Sequence, residues 1–219
     1  VAAEVAAALN APLDVAVVGM GSAGTLYGTA CHPGTRSITC FEIMSNQPGV
    51  LRSYAEQVKD SAVLRILNDA RLRTITNDGR YELKVGADRY DIIEADALRP
   101  NSAFSGNIYS VEYFQLVRER LKPGGWAVSW CPTPRVLSSF CSVFPYVAYS
   151  DGFLLIGSDT PIVLDWGLAD TRMLNPNTRT HFELAGITIA ANLAPFRTTL
   201  NVITPREHRS EGINTDLFP

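Results

Sequence analysis

Short apolar runs alternate with helical patterns along most of the chain. Asp14 to Gly19 (DVAVVG) is a continuous apolar run, the pattern of a parallel strand buried on both faces. Ser37 to Ile43 (SITCFEI), Leu72 to Thr76, Tyr90 to Ala95 (YDIIEA) and Trp126 to Trp130 repeat it. Strands near 145–149 and 152–158 complete a seven-stranded, mostly parallel sheet. Helices are predicted over 2–9, near 23–31, over 48–59 and 110–121, and near 133–142. His32-Pro33-Gly34 and Lys122-Pro123-Gly124-Gly125 read as helix stops, and Ser110 with Glu112 as a helix start. Asn77-Asp78-Gly79 is a turn, and 96–108 is a polar loop. Beyond about Asp165 the pattern weakens to two or three short helices and an irregular end. The alternation predicts an α/β, Rossmann-like architecture. Residues 1–165 are expected to form this Rossmann-like part, and 166–219 a helical extension of the same domain.

Composition narrows the function. The chain has 219 residues, a size that suits one such domain. Its formal net charge is −3 and it has no long basic run, which argues against a nucleic-acid partner. No stretch of about eighteen apolar residues suggests a membrane span. The Ala-rich opening, Val1 to Leu9, lacks a basic start and reads as a helix rather than a signal peptide. A chain that starts at Val1 reads as a piece of a longer protein. Cys31, Cys40, Cys131 and Cys141 follow no CxxC or disulfide-framework spacing, so buried thiols in a reducing cytoplasm are expected. His32, His181 and His208 show no metal-ligand spacing, and no metal site is expected.

The first chemical signal is Gly19-Met20-Gly21-Ser22-Ala23-Gly24, a G-x-G-x-x-G between a predicted strand and a predicted helix. Glycines let the backbone turn sharply and approach a ligand closely, and the N–H groups of a helix start favour electron-rich groups. Glu42 ends the next strand, about twenty residues on, where a carboxylate accepts hydrogen bonds from ribose hydroxyls. An NAD-binding domain uses the same parts, and this stretch alone does not separate the two.

Later motifs do. Asn77-Asp78-Gly79-Arg80, Tyr90-Asp91-Ile92-Ile93-Glu94-Ala95-Asp96, Ile108-Tyr109-Ser110-Val111-Glu112-Tyr113-Phe114 and Leu121-Lys122-Pro123-Gly124-Gly125 follow in order. Together they resemble the spermidine synthase (polyamine aminopropyltransferase) family, especially its divergent bacterial members, over roughly residues 5–160. Ile213-Asn214-Thr215-Asp216 resembles a motif near the C-terminus of such proteins. The resemblance implies the S-adenosylmethionine (AdoMet) methyltransferase fold. It implies AdoMet or decarboxylated AdoMet as co-substrate, with Gly19, Gly21 and Gly24 shaping its pocket. Glu42 would hold the ribose, and Asp78 with Gly79 would face the adenine. Asp96 matches the family's catalytic acid, the base for an attacking amine. Residues 98–107 match a gate over the pocket, and Arg99 and Tyr109 fall on the substrate or gate side. A small amine acceptor, a homodimer and fusion to a membrane region of a longer protein are further implications, with this part in the cytoplasm. A turn or capping role is the plain alternative for Asp78 and Asp96.

Three departures qualify the resemblance. Ser22 stands where the family has an Asp that binds the reactive arm. Asp96-Ala97-Leu98-Arg99-Pro100 puts Arg99 where the family has a second Asp for the cationic amine, and a fixed positive charge there repels a polyamine. Arg99 would instead meet a carboxylate, or is a surface residue. The sequence does not include the family's N-terminal β-domain, which was either cut away or never part of the protein. Besides aminopropyl transfer, three readings stay open: small-molecule methyl transfer, a non-catalytic nucleoside-binding module, and an NAD-dependent oxidoreductase for which no hydride-transfer partner is evident.

Overall fold

The computed structural model describes residues 12–95, 105–209 and 212–218. The helix expected over 2–9, and Asp96 and Arg99 in the loop, lie outside the described residues.

One sheet carries the fold. Its strands are β1 (Leu13–Val18), β2 (Thr35–Glu42), β3 (Leu72–Thr76), β4 (Tyr90–Ala95), β5 (Leu121–Trp130), β6 (Tyr146–Ser150), β7 (Leu154–Ser158) and β8 (Asn201–Ile203). They lie in the order β3-β2-β1-β4-β5-β7-β6-β8. The β1–β2, β2–β3, β1–β4 and β4–β5 pairs are parallel, while β7 pairs antiparallel with both β5 and β6. Among the described residues the sheet therefore has eight strands, not seven. The additional strand, β8, pairs antiparallel with β6 at the edge, through Val147↔Ile203 to Tyr149↔Asn201. Three residues are too few to show an alternating pattern in sequence.

The helices are α1 (Gly24–Cys31), α2 (Gln47–Val58), α3 (Ser61–Leu67), α4 (Gly79–Val85), α5 (Val111–Arg120), α6 (Pro134–Val143), α7 (Trp166–Met173), α8 (Pro176–Leu184) and α9 (Ile189–Thr199). Two of them, α3 and α4, are short helices of seven residues absent from the expected pattern. Each starts at an aspartate cap: Asp60 accepts from the Ala62 and Val63 amides, and Asp78 from the Tyr81 amide. The end of the polar loop, Ser105–Ile108, is a short 3₁₀ turn.

Strand alternation sorts the core into two halves. Val15, Val17 and Ile92 pack on one face with Leu26, Tyr27 and Ile66 of α1 and α3. Ala16, Val18, Ile93 and Ala95 face the other way, against Phe114, Phe140 and Phe144 of α5 and the α6 region. At the amino ends of the central strands, the Lys122 ammonium lies 2.7 Å from both Asp14 and Asp91. Arg36 and Ser37 also bond Asp14, so one ionic cluster clamps β1, β2, β4 and β5. Hydrogen bonds from Arg36 hold the Asp14 carboxyl far below its ordinary range, against the opposing effect of burial. Among the described residues no helix is long and apolar enough to cross a membrane.

Candidate active site

The sheet order reverses between β1 and β4: the chain winds outward from β1 through β2 to β3, then returns to start β4 beside β1. Open α/β sheets bind ligands at such a point, above the carboxyl ends of the strands. The glycine loop lies there. Gly19 and Gly21 have φ of 91° and 51°, which non-glycine residues resist, and Ala23 follows at 67°. The turn is closed by the Ala23 amide donating to the Met20 carbonyl at 2.7 Å. Ala23 offers no side-chain cap to α1, so the first amides of that helix are open to a ligand. Val17, Gly19, Gly21, Ser22, Gly24 and Thr25 help line a cleft of about 330 Å³ over this turn. Gln47 of α2 braces it by donating to the Gly21 carbonyl at 2.7 Å, a contact no sequence pattern signals.

Glu42 ends β2 beside the loop, and only 6 % of it is exposed. One carboxylate oxygen accepts from the Met20 amide at 2.7 Å, the other from the Met44 amide at 2.8 Å. The side chain thus fixes the loop itself. A carboxylate has about four acceptor sites, so two remain for a pair of hydroxyls. Ile43 and Met44, which follow it, are exposed apolar side chains at the same strand end. They offer a flat ring a hydrophobic face, and the sequence reading gave them no role.

The Glu42 carbonyl accepts from the Asn77 amide at 3.1 Å, which brings the Asp78 turn beside the end of β2. Asp78 is exposed and caps α4 through one oxygen, 2.9 Å from the Tyr81 amide. Its second oxygen is available to a donor. Gly79 has a packing reason: a Cβ there would sit 2.9 Å from Val18 and 3.0 Å from Phe41. Ser22 is exposed at the loop tip, whereas Tyr109 is buried at 2 % exposure in the core half that holds Val18, Ala95 and Phe114. The structure therefore brings Gly19, Gly21, Ser22, Gly24, Glu42, Asp78 and Gly79 to one end of the sheet and buries Tyr109 in the core.

The C-terminal segment joins this region. Arg80, in the first turn of α4, makes two bonds to the Asp216 carboxylate, at 2.8 and 2.6 Å, and a third to the Asn107 carbonyl at 2.7 Å. The Ser110 hydroxyl donates to Asp216 at 2.7 Å, and the Asn214 carbonyl accepts from the Val111 amide at 2.9 Å. The motif Ile213–Asp216 was visible in sequence; its place against α4 and α5 was not.

Among the described residues no disulfide joins the cysteines, and three of them are buried. Burial pushes the Cys40, Cys131 and Cys141 thiols up to about 12, so they are neutral and poor nucleophiles at ordinary pH. Among the described residues no three His, Cys, Asp or Glu side chains come together to hold a metal ion.

A doubly wound sheet with a glycine turn and an acidic strand end at its switch point defines a Rossmann-like α/β domain of the methyltransferase fold. More narrowly, the chain belongs to the spermine/spermidine synthase family, whose domain profile matches residues 3–132. It is 27% identical over 170 residues to polyamine aminopropyltransferase 1 of Streptomyces coelicolor, covering 75% of this chain and 31% of that protein. It is 25% identical over 206 residues to the polyamine aminopropyltransferase of Moorella thermoacetica, covering 84% and 69%. The chain thus spans about a third of the length of the first relative and about two thirds of the second. A spermidine synthase solved with the transition-state analogue AdoDATO superposes with a TM-score of 0.58 at 16% identity, over 80% of this chain and 70% of that one. Human methyltransferase-like protein 13 with SAH gives 0.57 at 21% identity, over 77% and 82%. These two likenesses show the fold.

Proposed function

We propose that this chain is the catalytic domain of an aminopropyltransferase that takes decarboxylated AdoMet and a small amine. The observation that carries this is Glu42. Its carboxylate is fixed by the Met20 and Met44 amides at the lip of the glycine-loop cleft, with acceptor capacity left for a ribose. The family membership and the aminopropyltransferase names of the relatives support the reaction class.

In the proposed step a neutral amine nitrogen attacks the aminopropyl carbon beside the sulfonium. The new C–N bond forms as the C–S bond breaks, and its electron pair goes to sulfur, leaving methylthioadenosine. The nitrogen then sheds a proton to Asp96, the base that the family resemblance implies. An alkylamine is mostly protonated near neutral pH, like lysine with its pKa of about 10.4, so a carboxylate that orients the amine and takes its proton lowers the barrier. The adenosine moiety lies along Glu42, Ile43 and Asp78, with the sulfonium arm over Gly19–Gly21. The charged co-substrate itself supplies the leaving group.

The test is turnover. Decarboxylated AdoMet with a panel of amines should release methylthioadenosine, detected by mass spectrometry, and Asp96→Asn should slow release at least a hundredfold. Methyl transfer from AdoMet, with S-adenosylhomocysteine as product, would replace this reading with the methyltransferase alternative.

A further inference from the structure

The glycine turn is held at two points, and both holds come from the short stretch that joins β2 to α2. Glu42 fixes the start of the turn through the Met20 amide. The Met44 amide donates to the same carboxylate, and the Gln47 amide donates to the Met44 carbonyl at 3.1 Å. The Gln47 side chain then reaches the Gly21 carbonyl at 2.7 Å. A carbonyl only accepts, so the side-chain nitrogen of Gln47 is the atom that faces it. These bonds close a ring from the end of β2, through the first residue of α2, and back to the turn.

Gly21 is the loosest member of that ring. A Cβ on it would meet nothing within 4 Å, so it is glycine for its φ of 51° and not for lack of space. Glycine also has the most backbone freedom to lose on ordering. With no neighbour packed on that side, the bond from Gln47 is what fixes the Gly21 carbonyl among the described residues. Met20, Gly21 and Ser22 line the cleft, and Gln47 does not. Gln47 therefore acts through Gly21, from behind the turn. Glu42, by contrast, stands at the lip of the cleft with acceptor capacity to spare.

We propose that Gln47 is a positioning residue for the arm that the donor carries on its sulfur. Its bond to the Gly21 carbonyl presets the turn before the donor arrives. Without it, the arm itself must order the turn, which weakens binding and misplaces the reacting carbon. Methylthioadenosine carries only a methyl group on sulfur and is held at its nucleoside end, so it does not depend on Gln47. This division rests on the transferase reading above, which lays the arm over Gly19–Gly21.

Calorimetry on the full chain tests this with decarboxylated AdoMet and, separately, methylthioadenosine, with turnover measured alongside. Gln47→Met keeps the length and packing of the side chain but has no donor. Gln47→Glu suits the first turn of a helix, yet its ionised carboxylate has no donor either. In both variants decarboxylated AdoMet should bind about fivefold weaker, the worth of one hydrogen bond, and methylthioadenosine should stay within about twofold of wild type. The kcat for methylthioadenosine release should fall about tenfold, with cooperative unfolding retained. A packing role alone would leave Gln47→Met like wild type. Wild-type behaviour of both variants, or equal weakening of the two ligands, would overturn the assignment and leave the transferase reading standing. Decarboxylated AdoMet that binds but never releases methylthioadenosine removes that reading, and the split between the two ligands still decides the role of Gln47. A wild-type chain that binds neither ligand overturns both.

Discussion

Arg80 and Asp216, 136 residues apart in sequence, form a two-pronged ion pair that ties the end of the chain to the helix behind the Asp78 turn. Because Arg80 also holds the Asn107 carbonyl, one guanidinium joins α4, the end of the polar loop and the C-terminal segment. Arg80→Ala and Asp216→Ala should each weaken folding. A double-mutant cycle should return a coupling of about 1 kcal/mol, since the pair is two-pronged but partly exposed. The bond from Arg80 holds the Asp216 carboxyl below its ordinary value. A depressed carboxylate stabilises above the unfolded pKa and loses that contribution as pH falls through the folded one. The coupling should therefore be constant at neutral pH and vanish in acid. Additive single variants would contradict this linkage.

The Lys122 clamp makes a different prediction. Lys122→Met leaves Asp14 and Asp91 facing each other without the ammonium between them, and should cost about 2 kcal/mol by chemical denaturation. Adding Asp91→Asn should recover part of the loss, because it removes one of the two charges left behind.

His32 sets a pH limit. Its ring is buried, Nδ1 accepts from the Gly34 amide at 3.1 Å, and burial lowers its pKa to about 4. The unfolded chain takes up the proton below about 6.5 while the folded chain resists it. Stability should thus be full above about 6.5 and decline as pH falls toward 4, by about 2 kcal/mol once partial solvent access is allowed for. His181, also lowered by burial, adds to the same trend: it stacks on Tyr27 and bonds its carbonyl. Replacing His32 by Asn should flatten the profile in this window, as read by melting temperature against pH.

Gly79 separates packing from binding. Gly79→Ala forces a methyl group to within 3.0 Å of Val18 and Phe41, and should destabilise by about 1–3 kcal/mol. Its effect on nucleoside affinity should be small once the protein is folded, whereas Asp78→Ala should lower affinity with a milder loss of stability.

The central strands were legible because residues such as Val15, Val17, Ile92 and Ile93 are buried on both faces of a parallel sheet, which leaves a continuous apolar run. The glycine turn and Glu42 were legible because positive φ and a strand-end carboxylate demand particular residue types. β5 was read as starting at Trp126 because Lys122-Pro123-Gly124-Gly125 looks like a stop. The strand instead begins at Leu121, with a register irregularity opposite Tyr90 and Ile92. β8 and the Arg80–Asp216 pair depend on contacts distant in sequence, which local periodicity does not carry. Gln47 gave no signal of its own: it is an ordinary residue in its helix, and only the fold sets it beside the glycine turn.

The central claim is that Glu42 and the glycine loop hold the nucleoside of an aminopropyl donor. The direct measurement is calorimetric titration of the wild-type chain and Glu42→Ala with methylthioadenosine, S-adenosylhomocysteine and NAD. The account predicts that methylthioadenosine binds tightest and loses at least tenfold in Glu42→Ala, while the variant still unfolds cooperatively. Binding of NAD alone, or methylthioadenosine binding unchanged in Glu42→Ala, would contradict it.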